Sequence, residues 1–134
     1  SDVYKRQVYL SYGMHHCVNL VCSPDGEASA VLLRGGQVIS GHDDARRRRG
    51  NVPENRLACG PGNMGSALGA NLEESGDPVS LIGNGAVPAQ GWHLEPAPET
   101  AEFRQGPRVG ISRNTDAPWR WWIPQDPTVS GPRT

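Results

Sequence analysis

Along the chain the apolar positions fall into short runs separated by turn-forming residues. From Val8 to Arg34 the runs VYLSY, VNLVC and ASAVLLR are rich in β-branched and aromatic residues and predict strands. Between the last two lies Ser23-Pro24-Asp25-Gly26. Pro presets the first turn dihedral and Gly supplies the positive one, so a hairpin is expected there. Gly35 and Gly36 then break the pattern. HDDARRRRG after Gly41 predicts about two helical turns, with Asp43 and Asp44 at the positive end of the helix dipole and the arginines at the negative end. The stretch GPGNMGSALGA, Gly60 to Ala70, predicts a Pro-started helix with Met64, Ala67 and Leu68 on one face. Its glycines weaken it unless packing or a ligand supports it. Residues 71–102 hold six acidic side chains and no Lys or Arg, which reads as loops and short strands turned away from any polyanion. RVGI and PWRWWI are expected to be late strands returning to the same sheet.

Composition narrows this picture. The chain has 134 residues, room for one domain. Leu, Ile, Val and Phe number 25, about 19%, a share that signals disorder only when net charge is high. Net charge is -1. A thin core with balanced charge points to part of a domain whose remaining core lies elsewhere. No apolar run approaches the ~18 residues of a membrane span, which argues against a membrane protein. Cys17, Cys22 and Cys59 are odd in number and fit a reducing compartment better than a disulfide scaffold.

The opening heptapeptide SDVYKRQ back-translates to a transposon-end adapter used in sequencing libraries, and Lys5 is the chain's one lysine against 11 arginines in residues 8–134. Residues 1–7 are therefore read as adapter-derived. Residues 8–130 are taken as the C-terminal part of a domain and 131–134 as a tail.

Candidate chemistry concentrates in Tyr9 to Asn19. Two tyrosines, a Gly13-Met14 tip and Asn19 could form a stacking platform with a polar selector, aromatic faces holding planar bases at ~1 to 3 kcal/mol each. A strand whose tyrosines cap a core explains the same pattern. His15, His16, Cys17 and Cys22 make a poor zinc set, because adjacent histidines point to opposite faces of a strand. Arg46 to Arg49, with Arg34 and Arg56, could meet phosphates. Four charges in a row also make an ordinary solvated face. The GPG at Gly60 to Gly62 would turn backbone N–H groups toward an anion, or simply start a helix.

In order, YLSYGMHHCVN (Tyr9 to Asn19), AVLLR (Ala30 to Arg34), LACGPGNMGSALG (Leu57 to Gly69), PRVGI (Pro107 to Ile111) and PWRWWI through DPTVS (Pro118 to Ser130) resemble the alkyladenine (3-methyladenine) DNA glycosylases, which remove alkylated purines from DNA. The resemblance implies an α+β fold: a single mixed domain with a curved antiparallel β-sheet, flanking helices and a protruding hairpin, here incomplete. It implies that Tyr12 is the wedge filling the space of an extruded nucleotide, with Gly13 and Met14 beside it. Tyr9 would wall the pocket, Asn19 would exclude the amino group of normal guanine, and Leu32 would lie beside it. Arg34 and the Val109 backbone would hold the catalytic water. Gly60, Gly62 and Asn63 would face phosphates, although the family's lysine after GPG is Asn63 here. No metal or cofactor is implied. The partner is double-stranded DNA containing alkylated purines, met by a monomer in the bacterial cytoplasm at the nucleoid.

The family's general-base glutamate lies upstream of the hairpin, and no glutamate of this chain stands in a matching context. The chain is accordingly expected to be inactive by itself, with unpaired sheet edges and exposed apolar surface. The alternative is a non-catalytic nucleic-acid-binding module using the same hairpin and Arg46 to Arg49.

Overall fold

The first apolar run extends further than its pattern suggests. In the computed structural model, which describes residues 3–11, 15–21, 30–71, 73, 78–81, 92–95, 97 and 102–134, β1 spans Val3–Ser11 and β2 spans His15–Val21. They pair antiparallel in unbroken register from Lys5↔Val21 to Ser11↔His15. Residues 3–7, set aside on sequence grounds, therefore continue the same strand. Tyr12, Gly13 and Met14, and the expected turn at Ser23 to Gly26, lie outside the described residues. β3 (Ala30–Leu32) pairs antiparallel with β2, Asn19 facing Leu32 and Val21 facing Ala30.

β4 (Pro78–Leu81) adds antiparallel to the other edge of β1, and β5 (Trp92–Leu94) follows it, giving the order β3-β2-β1-β4-β5. The β4–β5 pair is parallel, so the sheet is mixed at this edge. Pro78 opens its strand, a place where the missing N–H is tolerated.

The two late runs do not return to this sheet. RVGI forms no strand, because Gly110 sits at a φ of 74°, outside the β region. Its neighbour upstream does: β6 (Arg104–Gly106) pairs antiparallel with β7 (Arg120–Trp122) as a separate two-stranded sheet. Around it Phe103, Trp119, Trp121 and Ile123 are each about half exposed, from 48% to 58%. The expected exposed apolar surface is thus located on and beside this ribbon.

Both predicted helices form. α1 is His42–Arg49, bounded by Gly41 and Gly50, both at positive φ, with Asp43 and Asp44 in its first turn and the arginines in its last. Its one buried residue, Ala45, packs with Leu57, Ala58 and Ala67. α2 is Pro61–Ala67, with Pro at its first position. The packing face differs from the predicted stripe: Gly65 and Ala67 are buried and Met64 packs partly against the core, whereas Leu68 is 39% exposed. The cause is the distance to the sheet. A Cβ on Gly65 would run into the backbone carbonyl of His16, so the helix rests directly on β2. A second cluster, Val18 and Ala70 with Leu33 against them, fills the neighbouring space.

Gly65→Ala should therefore destabilise the chain by roughly 2 kcal/mol or more, overpacking outweighing the gain in helix propensity. Gly36→Ala, whose added Cβ would meet only Met64 Cε at 3.8 Å, should leave stability nearly unchanged. Denaturant midpoints of the two variants check the contrast.

Candidate active site

The pairing of Asn19 with Leu32 places an amide at the start of a cleft. From there the chain runs through Leu33, whose N–H donates to the Val18 carbonyl at 3.0 Å, to Arg34 and Gly35. Gly35 is a point of close backbone approach. It forms a bridge with Cys59, and a Cβ there would stand 2.9 Å from the Thr128 carbonyl oxygen and 3.1 Å from that of Ala58. Three remote segments thus meet at one residue without a side chain. The result is a cleft of about 790 Å³ lined by β3, its continuation, the end of β2 and the C-terminal segment. That volume lies within the ~300–1,000 Å³ usual for small-ligand sites.

Two guanidiniums converge on Ser130 in this cleft. Arg34 Nη2 donates to Ser130 Oγ at 3.3 Å. Arg120 Nη2 donates to the Ser130 carbonyl at 2.9 Å and to that of Pro132 at 2.6 Å, while its guanidinium lies 4.3 Å above the Trp122 ring. Arg120 is 3% exposed. Burial, and secondarily the charge of Arg34, pull its pKa below the ordinary arginine value. A third cation, Arg108, stacks 5.1 Å from the Trp119 ring and donates to the Arg113 carbonyl. Facing them is Asp126, whose Oδ1 accepts from the Thr128 hydroxyl at 2.6 Å and from its N–H at 2.8 Å. Those two bonds, assisted by Arg133, hold its carboxyl below the usual aspartate range. Asn19 is 7% exposed, and its Nδ2 has no hydrogen-bond partner among the described residues.

Asn19, Leu32, Arg34 and Val109, four positions named from sequence across 90 residues of chain, all line this one cleft. Residues 3–127 match the family described as methylpurine-DNA glycosylase (MPG). The chain belongs to the methylpurine-DNA glycosylase family. A candidate 3-methyladenine DNA glycosylase of Cutibacterium acnes (strain DSM 16379 / KPA171202) is 91% identical to it over 127 residues, covering 95% of this chain and 66% of that protein. Similarly named proteins of Corynebacterium jeikeium (strain K411) and Mycobacterium leprae (strain Br4923) are 50% and 44% identical, with 94% and 91% of this chain and 62% and 54% of theirs covered. The chain of this glycosylase family therefore spans between about half and two thirds of the length of these relatives.

Of the other positions named from sequence, Gly60, Gly62 and Asn63 are not gathered in the cleft. Tyr9 is described only through its backbone, which pairs with Cys17. Gly60, Gly62 and Asn63 stand at the start of α2, where the Asn63 amide donates to the Cys59 carbonyl at 2.8 Å. They adjoin the cleft through Ser130, whose Cβ lies 3.8 Å from the place of a Gly60 Cβ. The arginine run is largely spent on the fold: Arg48 donates to the Ala67 carbonyl, Arg49 to those of Leu57 and Arg56, and Arg47 pairs with Asp44.

Sequence reasoning gave no role to Arg108, Arg120, Trp122, Asp126 or Ser130. The signal available was placement, since all five lie inside the PRVGI and PWRWWI-to-DPTVS blocks as residues able to hold charge or form hydrogen bonds.

Asp126 gives a pH prediction. Because its folded pKa is depressed, the ionised carboxylate stabilises the fold fully above its ordinary value of about 3.8, and this contribution fades as pH falls through the lower folded value. Asp126→Asn should lower the unfolding midpoint at pH 7, and the gap to the parent should close in acid below that range. Thermal unfolding followed from pH 7 downward reads the difference.

Proposed function

We propose that this chain carries part of the base pocket and part of the DNA-facing surface of a glycosylase that hydrolyses the N-glycosidic bond of alkylated purines, with base flipping and water as nucleophile. In this reading the Tyr12 loop, with Gly13 and Met14, props the duplex open, offsetting the few kcal/mol that unstacking costs. Tyr9 stacks on the extruded base. Asn19 rejects an exocyclic amino group by clash, and Leu32 packs beside it. Arg34 and the Val109 backbone position the water that attacks C1′, and the purine departs. Gly60, Gly62 and Asn63 meet phosphates. The observation that carries this is the convergence of Asn19, Leu32, Arg34 and Val109 on one cleft.

The reaction needs a carboxylate to take the proton of the attacking water. Among the described residues the cleft has one, Asp126, and its Oδ1 is already engaged by both Thr128 donors. This supports the view that the 134-residue chain does not complete the reaction, and that the base comes from a part of the protein not contained in it. The competing reading, a binding module built on Arg46 to Arg49, is disfavoured because three of those four side chains are committed to carbonyls or to Asp44.

On duplex DNA carrying an alkylated purine, the chain should generate no abasic sites above background, whereas the 91% identical Cutibacterium acnes protein should. Arg34→Ala carried into that relative should slow excision about a hundredfold, the scale of a lost catalytic group. Robust excision by the chain alone, or an unaffected rate in the variant, would contradict the assignment.

A further inference from the structure

In the proposed reaction Arg34 holds a water at one place in a cleft of about 790 Å³. A guanidinium on a flexible stem does not keep one geometry by itself, and it stays put only against acceptors that are themselves fixed. Arg34 also has a second cation beside it. Arg120 lines the same cleft, and burial first and the charge of Arg34 second lower the Arg120 pKa. Two such groups drift apart unless each is tied.

Ser130 ties both. Its Oγ accepts from Arg34 Nη2 at 3.3 Å, and its carbonyl accepts from Arg120 Nη2 at 2.9 Å. The same nitrogen of Arg120 donates to the Pro132 carbonyl at 2.6 Å. Gly131, between the two acceptors, sits at a φ of 83°, and a Cβ there would stand 3.3 Å from Arg120 Nη2. Arg120 has no room to swing away. It is 3% exposed and lies 4.3 Å from the centre of the Trp122 ring, which in turn packs so closely on Gly106 that a Cβ there would stand 3.0 Å from Trp122 Cη2. From the other side the backbone closes in, because the Thr128 carbonyl oxygen would be 2.9 Å from a Cβ on Gly35, the residue after Arg34. The segments carrying Arg34 and Ser130 are thus pressed together beside the bond that joins their side chains.

We propose that Ser130 is the positioning residue for Arg34: its hydroxyl fixes the guanidinium that faces the water, and Arg120 holds the Ser130 backbone in place for this. Ser130 acts through Arg34 and not on the base. The inference rests on the assignment of Arg34 to the water.

Ser130→Ala, at a partly buried position, tests this in two ways. In the 134-residue chain, nitrogen NMR relaxation at Arg34 Nε should show the side chain passing from ordered to mobile in Ser130→Ala and staying ordered in Ser130→Thr, which keeps the hydroxyl. In the 91% identical Cutibacterium acnes protein, changed at the matching positions, Ser130→Ala should lower kcat about tenfold with KM held within about twofold, and Ser130→Thr should restore kcat. Combined with Arg34→Ala, it should add no further loss, since both changes remove the same positioned group. An Arg34 side chain equally ordered in Ser130→Ala, an unchanged kcat, or losses that add to those of Arg34→Ala overturn the proposal. A slow Arg34→Ala beside a normal Ser130→Ala sinks the positioning role alone; Arg34→Ala at the parent rate sinks the assignment of Arg34 and this inference with it.

Discussion

At Gly65 the backbone of α2 comes so close to β2 that no side chain fits between them. This contact fixes the sheet's relation to everything downstream, because β2 carries Val18 into the core and Asn19 to the cleft one residue later. Gly35 repeats the device on the other side of the site, where the Ala58 and Thr128 carbonyls close on it. Backbone rests on backbone at both places. A chain with so few large apolar residues gains rigidity from such close approach, since its buried clusters consist mainly of alanines around Leu57 and Val18.

Ser130 organises the polar side of the structure. It receives Arg34 on its hydroxyl and Arg120 on its carbonyl, and it sits against Gly60 at the start of α2. The C-terminal segment thus acts as a brace between the sheet, the helix start and the β6–β7 ribbon. Asp126 and Thr128 stiffen the turn that leads into it. Two guanidiniums near one residue repel each other, which contributes to the lowered pKa of Arg120. Carbonyl acceptors and the Trp122 face offset part of that cost.

The arginine run illustrates how charge in sequence can mislead about function. Four consecutive cations invite a phosphate-binding reading, yet at the end of α1 two of them, Arg48 and Arg49, serve as tethers that tie the helix to the carbonyls of Ala67, Leu57 and Arg56, and Arg47 pairs with Asp44. Terminal helix carbonyls and loop carbonyls need donors, and long guanidinium side chains reach them. The cations that face the cleft are instead scattered singly at positions 34, 108 and 120.

The residues by themselves determined the local elements and the family. Strand-forming runs, paired glycines around HDDARRRR and the Pro61 start were legible because turn chemistry and helix capping act over a few neighbours. Five ordered blocks sufficed to mark Asn19, Leu32, Arg34 and Val109. Only the tertiary structure decided that RVGI is no strand, that β6 and β7 form their own ribbon, that Leu68 faces outward while Gly65 packs, and that Arg120 and Asp126 join the cleft. Those outcomes depend on how closely distant segments approach and on which buried donors find acceptors, and neither quantity is encoded in the spacing of residues along one stretch of chain.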